Sequence, residues 1–526
     1  MPRRDTVNPL YAGGTVGTLM LTAIERFPMR PAIADDELRY TYRELGEAVG
    51  RMVRVFHDLG LRKGDTLAIL SGNRVAEITC RFAAILIGIR FTPLHPAASE
   101  ENHRFILDDA EIDALLVDPI NYAARGAALR KKCARLKHIL SLGPMDGAID
   151  VIAAAARVPA APPRDDSDPQ DIVTIAYTGG TTGKPKGVML SHRSLIASFC
   201  HELSDWDLPE DMRFLAVTPI SHASGWVIPT VAMRGGYTRM LQHFDAETFC
   251  TIIAAERITM LWLVPTIIYV LLDHLAERHY DLSSLQSIVY GAAPMSPDRL
   301  REAIGVFGPV FVQLYGQTEA PMAVTTLRKA DHDLSRPDRL GSIGLPCPSV
   351  QVKLFDPDMN EVAVGKPGEI CVRGALVMSG YWQRPEANET ALRGAWLHTG
   401  DVAVRDADGY FTIVDRTTDM IITGGFNVYP REIEDALLSH AAVSSAAVIG
   451  IPDPKWGEAV KAFVVCRPGM NCAEAELQAH VKQRRGAVWV PKSIDFVDGL
   501  PVTALGKIDR KALREHYWRG QGRQVS

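Results

Sequence analysis

Residues 177–187 read Tyr-Thr-Gly-Gly-Thr-Thr-Gly-Lys-Pro-Lys-Gly, and nothing about packing a core calls for so many glycines, hydroxyls and ammonium groups together. Glycines let backbone N–H groups come close to an anion, threonine hydroxyls add donors, and Lys184 and Lys186 bring positive charge. The chemistry that fits is a cradle for a polyphosphate. A plain surface turn has a similar composition, so the loop alone leaves both readings open. The apolar run Ile172 to Ala176 in front of it reads as a buried strand, which puts the loop at a strand's carboxyl end, where open α/β sheets hold ligands. A Walker A loop is disfavoured: Thr178 stands where its first glycine is required, and Pro185 stands where Ser or Thr should follow Gly183-Lys184.

Five more segments combine polar chemistry with turn residues. They are Pro219-Ile220-Ser221-His222-Ala223-Ser224-Gly225, Tyr315-Gly316-Gln317-Thr318-Glu319, His398-Thr399-Gly400-Asp401, Asp415-Arg416-Thr417-Thr418-Asp419 with Gly424-Gly425-Phe426-Asn427, and Thr503-Ala504-Leu505-Gly506-Lys507-Ile508. With the loop they resemble, in order and over nearly the whole chain, the core motifs of the adenylate-forming superfamily: acyl-CoA synthetases, free-standing adenylation domains and beetle luciferases. Any one of these motifs is weak; six in order are specific.

The resemblance implies a carboxylic acid:CoA ligase, in which a carboxylate attacks the α-phosphorus of ATP, pyrophosphate leaves in line, and the acyl-adenylate is then thioesterified with release of AMP. Two anions must meet, so charge neutralisation comes first. By resemblance, Thr178, Gly179, Gly180, Thr181, Thr182, Gly183, Lys184 and Lys186 hold the leaving phosphates. Glu319 is the Mg2+ ligand, and Thr318 bonds the α-phosphate. Tyr315 stacks on adenine opposite Gly291, Ala292 and Ala293, and Gly316 and Gln317 belong to the same nucleotide segment. Asp401 accepts from the ribose hydroxyls, and Arg416 adds a charged donor. Lys507 resembles the family's catalytic lysine, a point charge bridging carboxylate and α-phosphate. His222 matches a histidine between the acyl pocket and a thiol tunnel; packing with one hydrogen bond is an equal alternative. Gly424 and Gly425 would line that coenzyme A tunnel and Trp456 would flank it, unless Trp456 is a core aromatic of the tail.

The elements that must carry these groups follow from periodicity. Apolar runs at Thr66 to Leu70, Ala114 to Val117, Ile172 to Tyr177, Met260 to Val264, Ser287 to Tyr290 and Val310 to Tyr315 alternate with helical segments, which predicts an α/β fold with largely parallel sheets. The Pro- and Asp-rich stretch Val158 to Asp171 is expected to connect two parallel-type αβ lobes. After Gly341, short strands with Gly and Pro predict a small β-barrel-like lobe, and from Asp419 a compact α+β pattern predicts a separate mobile C-terminal domain. The expected division is 1–416, binding ATP and the acyl group, and 417–526, a mobile cap bearing Lys507.

With 526 residues the chain is too long for one core. Its 47% hydrophobic and 23% charged residues are ordinary for a globular protein, and a net charge of −5 gives no bulk support for a nucleic-acid partner. The eight cysteines form no CxxC pair, so zinc and a disulfide framework are not expected; they read as small core residues of a reduced, cytoplasmic protein. No apolar h-region follows the basic start, so no signal peptide is expected. The apolar stretch Ile258 to Leu272, broken by Pro265, is too short to span a bilayer.

Three departures from the family pattern bear on function. Gly179 replaces the usual serine of the phosphate loop, Thr418 stands where Lys or Asp is usual at the hinge, and Ser221 with Trp226 reshapes the acyl wall. No cation is evident at His222 to Trp226 or Gly291 to Pro294, which favours a fatty, aryl or alicyclic monocarboxylic acid over a dicarboxylate. Two alternatives stay open: an acyl-AMP ligase that loads a carrier protein, and a catalytically silent nucleotide-binding paralogue. A homodimer stays open too.

Overall fold

The apolar runs become the inner strands of two largely parallel sheets, because strands covered on both faces need apolar residues at successive positions. The computed structural model describes residues 13–178, 185–293, 295–416, 421–423, 426–453, 456–502 and 508–518. One sheet has eight strands in the order Gly380–Tyr381, Lys186–Ser191, Ile172–Thr178, Arg90–Pro93, Thr66–Leu70, Ala114–Val117, His138–Ser141 and Ile149–Asp150. The other has nine, in the order Leu345–Pro346, Ala320–Leu327, Phe311–Gln317, Ser287–Tyr290, Met260–Leu263, Arg213–Ala216, Tyr237–Met240, Pro31–Ala34 and Arg39–Thr41. Antiparallel pairs occur only toward the sheet edges, among the described residues.

Helices Tyr42–Asp58, Val75–Ile87, His192–Asp205 and Ala223–Met233 share one continuous core with side chains of both sheets, so they lie between them. Val75–Ile87 is buried at every position, which explains its apolar sequence all round. Its two charged residues neutralise one another: Arg81 Nη2 lies 2.6 Å from Glu77 Oε1. Separate cores cover the outer face of each sheet.

The segment 158–171 does not join two lobes as its composition suggested. The strands on either side of it, Ile149–Asp150 and Ile172–Thr178, belong to the same eight-stranded sheet. It runs instead along the helices of the shared layer, where Asp165 accepts from Thr18 Oγ1 at 3.0 Å, the Asp166 amide donates to Leu86 O at 2.8 Å, and Asp168 meets Lys63 at 2.9 Å. Its prolines and aspartates fit because an irregular strap needs polar anchors where it lacks ladder bonds.

The small β lobe is an antiparallel meander of Gln351–Phe355, Pro367–Arg373, Leu397–Arg405 and Phe411–Arg416. Among the described residues no pair closes its ends, so it is an open sheet where a barrel-like lobe was expected. Beyond it, helices Pro430–Leu438 and Glu474–Arg485 pack with strands Val443–Asp453 and Gly457–Cys466 around a core of their own. No described helix is long and apolar enough to cross a membrane.

Two buried histidines and a half-buried one give the fold an acid limit. Burial pushes His95, His192 and His332 each down to about 4 from 6.5. His192 Nδ1 accepts the Val16 amide at 3.0 Å, a bond that protonation would break. The unfolded chain therefore binds more protons between pH 6.5 and 4, and stability should fall as pH drops through that window. Thermal melts across it should show a declining Tm, with a shallower decline in His192→Gln.

Candidate active site

Asp401 lies on strand Leu397–Arg405, 5% exposed, and two side chains from one face of strand Phe311–Gln317 converge on it. The Tyr315 hydroxyl donates to Asp401 Oδ2 at 2.7 Å and Gln317 Nε2 donates to the same oxygen at 2.6 Å. A carboxylate fixed by two donors from another sheet cannot swing with its own turn. Gly316, between the two donors, sits at a register shift where an added Cβ would come within 2.6 Å of the Met322 amide. The backbone of Arg416 pairs with Asp401 across the meander, while its side chain lies outside the description.

A further carboxylate stands behind Asp401. Glu369 Oε1 accepts the Gly400 amide at 2.9 Å, and Glu369 Oε2 lies 2.8 Å from His398 Nδ1. Gly400 has φ +73°, so this bond pins a left-handed turn directly before the ribose candidate. Glu369, Cys371 and His398 bring their donor atoms within 4.8 Å of one another, but hydrogen bonds to Gly400 and within the group already account for that arrangement.

At the other end of the site, strands Ile172–Thr178 and Lys186–Ser191 form an antiparallel hairpin, and Thr178 pairs with Lys186 where it opens. Gly179, Gly180, Thr181, Thr182, Gly183 and Lys184 lie outside the described residues. The hairpin is anchored from below: the Tyr177 hydroxyl donates to Asp109 Oδ2 at 2.6 Å, and Arg384 pairs with the same carboxylate. Thr318 and Glu319 form the two-residue turn between Phe311–Gln317 and Ala320–Leu327, where Gln317 pairs with Ala320. Tyr381 joins the two regions. Its hydroxyl donates to Glu319 Oε1 at 2.8 Å, and Lys186 Nζ sits 4.3 Å from its ring centroid. Burial, then the charge of Glu319, raises the Tyr381 phenol far above its ordinary range, so it stays a donor. Gly291, Ala292 and Ala293 follow strand Ser287–Tyr290; Ala292 has φ +63°, and a Cβ on Gly291 would lie 2.6 Å from Leu314 O.

His222 stands at the start of helix Ala223–Met233, its Nδ1 3.0 Å from Ser221 Oγ and its ring edge-on to His95 at 4.6 Å. The loop that carries it is held by two residues from the shared helical layer. Asn73 Oδ1 accepts the Ile220 amide at 2.9 Å while its Nδ2 donates to Thr218 O at 3.1 Å, and Arg81 Nη2 donates to Ile220 O at 3.0 Å. A Cβ on Gly225 would lie 2.0 Å from Ile220 O, so only glycine lets the helix start this close to the loop. Trp226 is nearly buried against Phe91 and Phe199.

In the tail, Trp456 is 39% exposed with Lys492 Nζ 5.2 Å from its ring, so it is not a core aromatic. Lys507, Gly424 and Gly425 lie outside the described residues. Asn73, Arg81, Glu369 and Tyr381 carried no signal in the sequence, since each is a single polar residue whose partner is remote along the chain.

Residues 21–382 match the AMP-binding enzyme family and residues 432–507 match the AMP-binding enzyme C-terminal domain. The chain belongs to this family, in the acyl-CoA synthetase branch of the adenylate-forming superfamily. It is 42% identical to the medium/long-chain-fatty-acid–CoA ligase FadD8 of Mycobacterium tuberculosis (strain ATCC 25618 / H37Rv), covering 97% of this chain and 91% of the relative. It is 36% identical to a feruloyl-CoA synthase of Amycolatopsis sp, covering 93% and 96%. Among solved structures it resembles the amide bond synthetase McbA from Marinactinospora thermotolerans, with a TM-score of 0.88 at 32% identity over 95% of this chain and all of that one.

Proposed function

We propose that the protein activates a fatty, aryl or alicyclic monocarboxylic acid with ATP to an acyl-adenylate, releasing pyrophosphate, and then forms the coenzyme A thioester with release of AMP. The observation that carries this is Tyr381, which ties a cation of the phosphate hairpin, Lys186, to the carboxylate beside it, Glu319. A cation for phosphate and a hard oxygen ligand, organised by one phenol, are what a Mg2+–polyphosphate needs. Glu319 fits Mg2+ in its donor type, a hard carboxylate oxygen, and would hold the ion. A bound ion would draw charge off the phosphates; Tyr381 would keep Glu319 aimed, and Thr178 and Lys186 would steady the leaving group with residues 179–184.

In this reading Asp401 and Arg416 hold the ribose, Tyr315 and the Gly291-Ala292-Ala293 segment flank adenine, and Thr318 bonds the α-phosphate. Lys507 arrives on the cap domain, 417–526, to pair the attacking carboxylate with the α-phosphate. The cap then turns and brings Gly424, Gly425 and Trp456 to the thiol, with His222 between acyl group and thiol. The exposure of Trp456 supports an interfacial role. A monocarboxylate is favoured because Arg81, the cation whose guanidinium approaches Gly225, is already paired with Glu77.

Acid-dependent exchange of pyrophosphate into ATP, run from acetate to long-chain and aromatic acids, should reveal the substrate. Parallel thioester assays with free CoA and a holo carrier protein should favour CoA; turnover with the carrier alone would reassign the acceptor. Tyr381→Phe should raise the Mg2+ concentration needed for half-maximal rate by about tenfold, the loss of one hydrogen bond to a charged group. Its KM for the acid should not move.

A further inference from the structure

Two of the eight cysteines meet in the tail. Cys466 ends strand Gly457–Cys466. The chain then reverses through Arg467-Pro468-Gly469-Met470, where the Met470 amide donates to Arg467 O at 3.0 Å and Gly469 has φ +75°. Proline second and a left-handed glycine third make this a type II turn. The reversal returns Cys472, just ahead of helix Glu474–Arg485, to a sulfur–sulfur distance of 3.7 Å from Cys466. Both are free thiols of intermediate exposure, unlike Cys80, Cys133, Cys250, Cys347 and Cys371, which are buried.

The pair is held in place at both ends. The Arg467 amide donates to Ala442 O at 2.8 Å, and the Ala473 amide donates to Glu476 Oε2 at 3.4 Å. Side-chain rotation in a short, anchored loop is a small step from sulfur contact to the bond length of about 2 Å. Burial, then the neighbouring Cys466 sulfur, pushes the Cys472 thiol up to about 11.

We propose that Cys466 and Cys472 form a reversible dithiol–disulfide site oxidised by hydroperoxides. Cys466 gives up its proton and its sulfur attacks the peroxide; the O–O bond breaks, the leaving oxygen takes the proton as water or alcohol, and Cys466 becomes a sulfenic acid. Cys472 sulfur then attacks Cys466 sulfur, the S–O bond breaks, and the departing hydroxide takes the Cys472 proton as water. A small dithiol reverses the reaction by exchange. The bond ties a strand end to a helix start inside the tail core and touches no proposed substrate contact, so pyrophosphate exchange should be unchanged by it.

The test is hydrogen peroxide on the full chain, followed by alkylation and trypsin. Arg467–Pro468 resists trypsin, so both cysteines fall in one peptide, Ala462 to Lys482. That peptide should be lighter by two hydrogen atoms, carry no alkyl label, and recover both labels after dithiothreitol. In Cys472→Ser, dimedone should instead trap a sulfenic acid on Cys466, and Cys466→Ser should give neither product. Full alkylation of the wild-type peptide after peroxide, a disulfide to any other cysteine, or no dimedone adduct in Cys472→Ser would overturn the proposal. Because the readout is mass and not turnover, it is independent of the ligase reading.

Discussion

Asp401→Ala is expected to raise the KM for ATP by two to three orders of magnitude. In the proposed reading one carboxylate accepts from two ribose hydroxyls, and a hydrogen bond to a charged group is worth about 1.5–3 kcal/mol. Losing two, each near the lower end of that range, gives about 3–4 kcal/mol, or roughly 100- to 1,000-fold in affinity. The variant also removes the Asp401 Oδ2 acceptor from the buried Tyr315 hydroxyl, while Gln317 Nε2 keeps its second acceptor, Thr399 O, at 2.9 Å. Part of the loss should therefore appear as a lower Tm, about 1–3 kcal/mol for the buried phenol that loses this acceptor. Tyr315→Phe removes one donor and keeps the carboxylate, so it should cost only about tenfold in KM. AMP titration by calorimetry separates binding from folding. A folded Asp401→Ala protein that binds AMP as tightly as wild type would show that this carboxylate does not hold ribose.

The candidate groups for the chemistry were legible because they come as local clusters, while the groups that hydrogen-bond to them were not. Asp401 and Gln317 stand in short motifs with turn glycines, so their types and order single them out as candidates. Glu369 and Tyr381 act on Gly400 and Glu319 from other strands, and only strand register brings them there. The same holds for Asn73, which clamps residues 218–220 across the shared helical layer. Strand Thr66–Leu70 was readable end to end, since a strand buried on both faces is apolar at nearly every position. The segment 158–171 misled because composition reports a lack of regular structure but not what the chain crosses. The Cys466–Cys472 contact had a signal that counting cysteines passes over: five intervening residues with Pro468-Gly469 at the bend.

Lys507→Ala is expected to abolish adenylation while sparing the second half-reaction. The step it serves brings a carboxylate onto a phosphate, and an ammonium between them in a dry site supplies the kind of electrostatic stabilisation whose removal costs about 100- to 1,000-fold or more. Acyl transfer from a supplied acyl-adenylate to CoA has no such collision of anions, since AMP is the leaving group and the thiol is the nucleophile. Thioester formation from synthetic acyl-AMP should therefore stay within a fewfold of wild type, while pyrophosphate exchange disappears. The same contrast should invert for Trp456→Ala. An exposed ring on the tail, with Lys492 Nζ 5.2 Å from its centroid, is positioned to matter for the thiol step and not the first one. Single-turnover measurements of each half-reaction decide the matter. Equal losses in both halves for Lys507→Ala would mean that one arrangement of cap and body serves both reactions, and the turning of the cap would have to be abandoned.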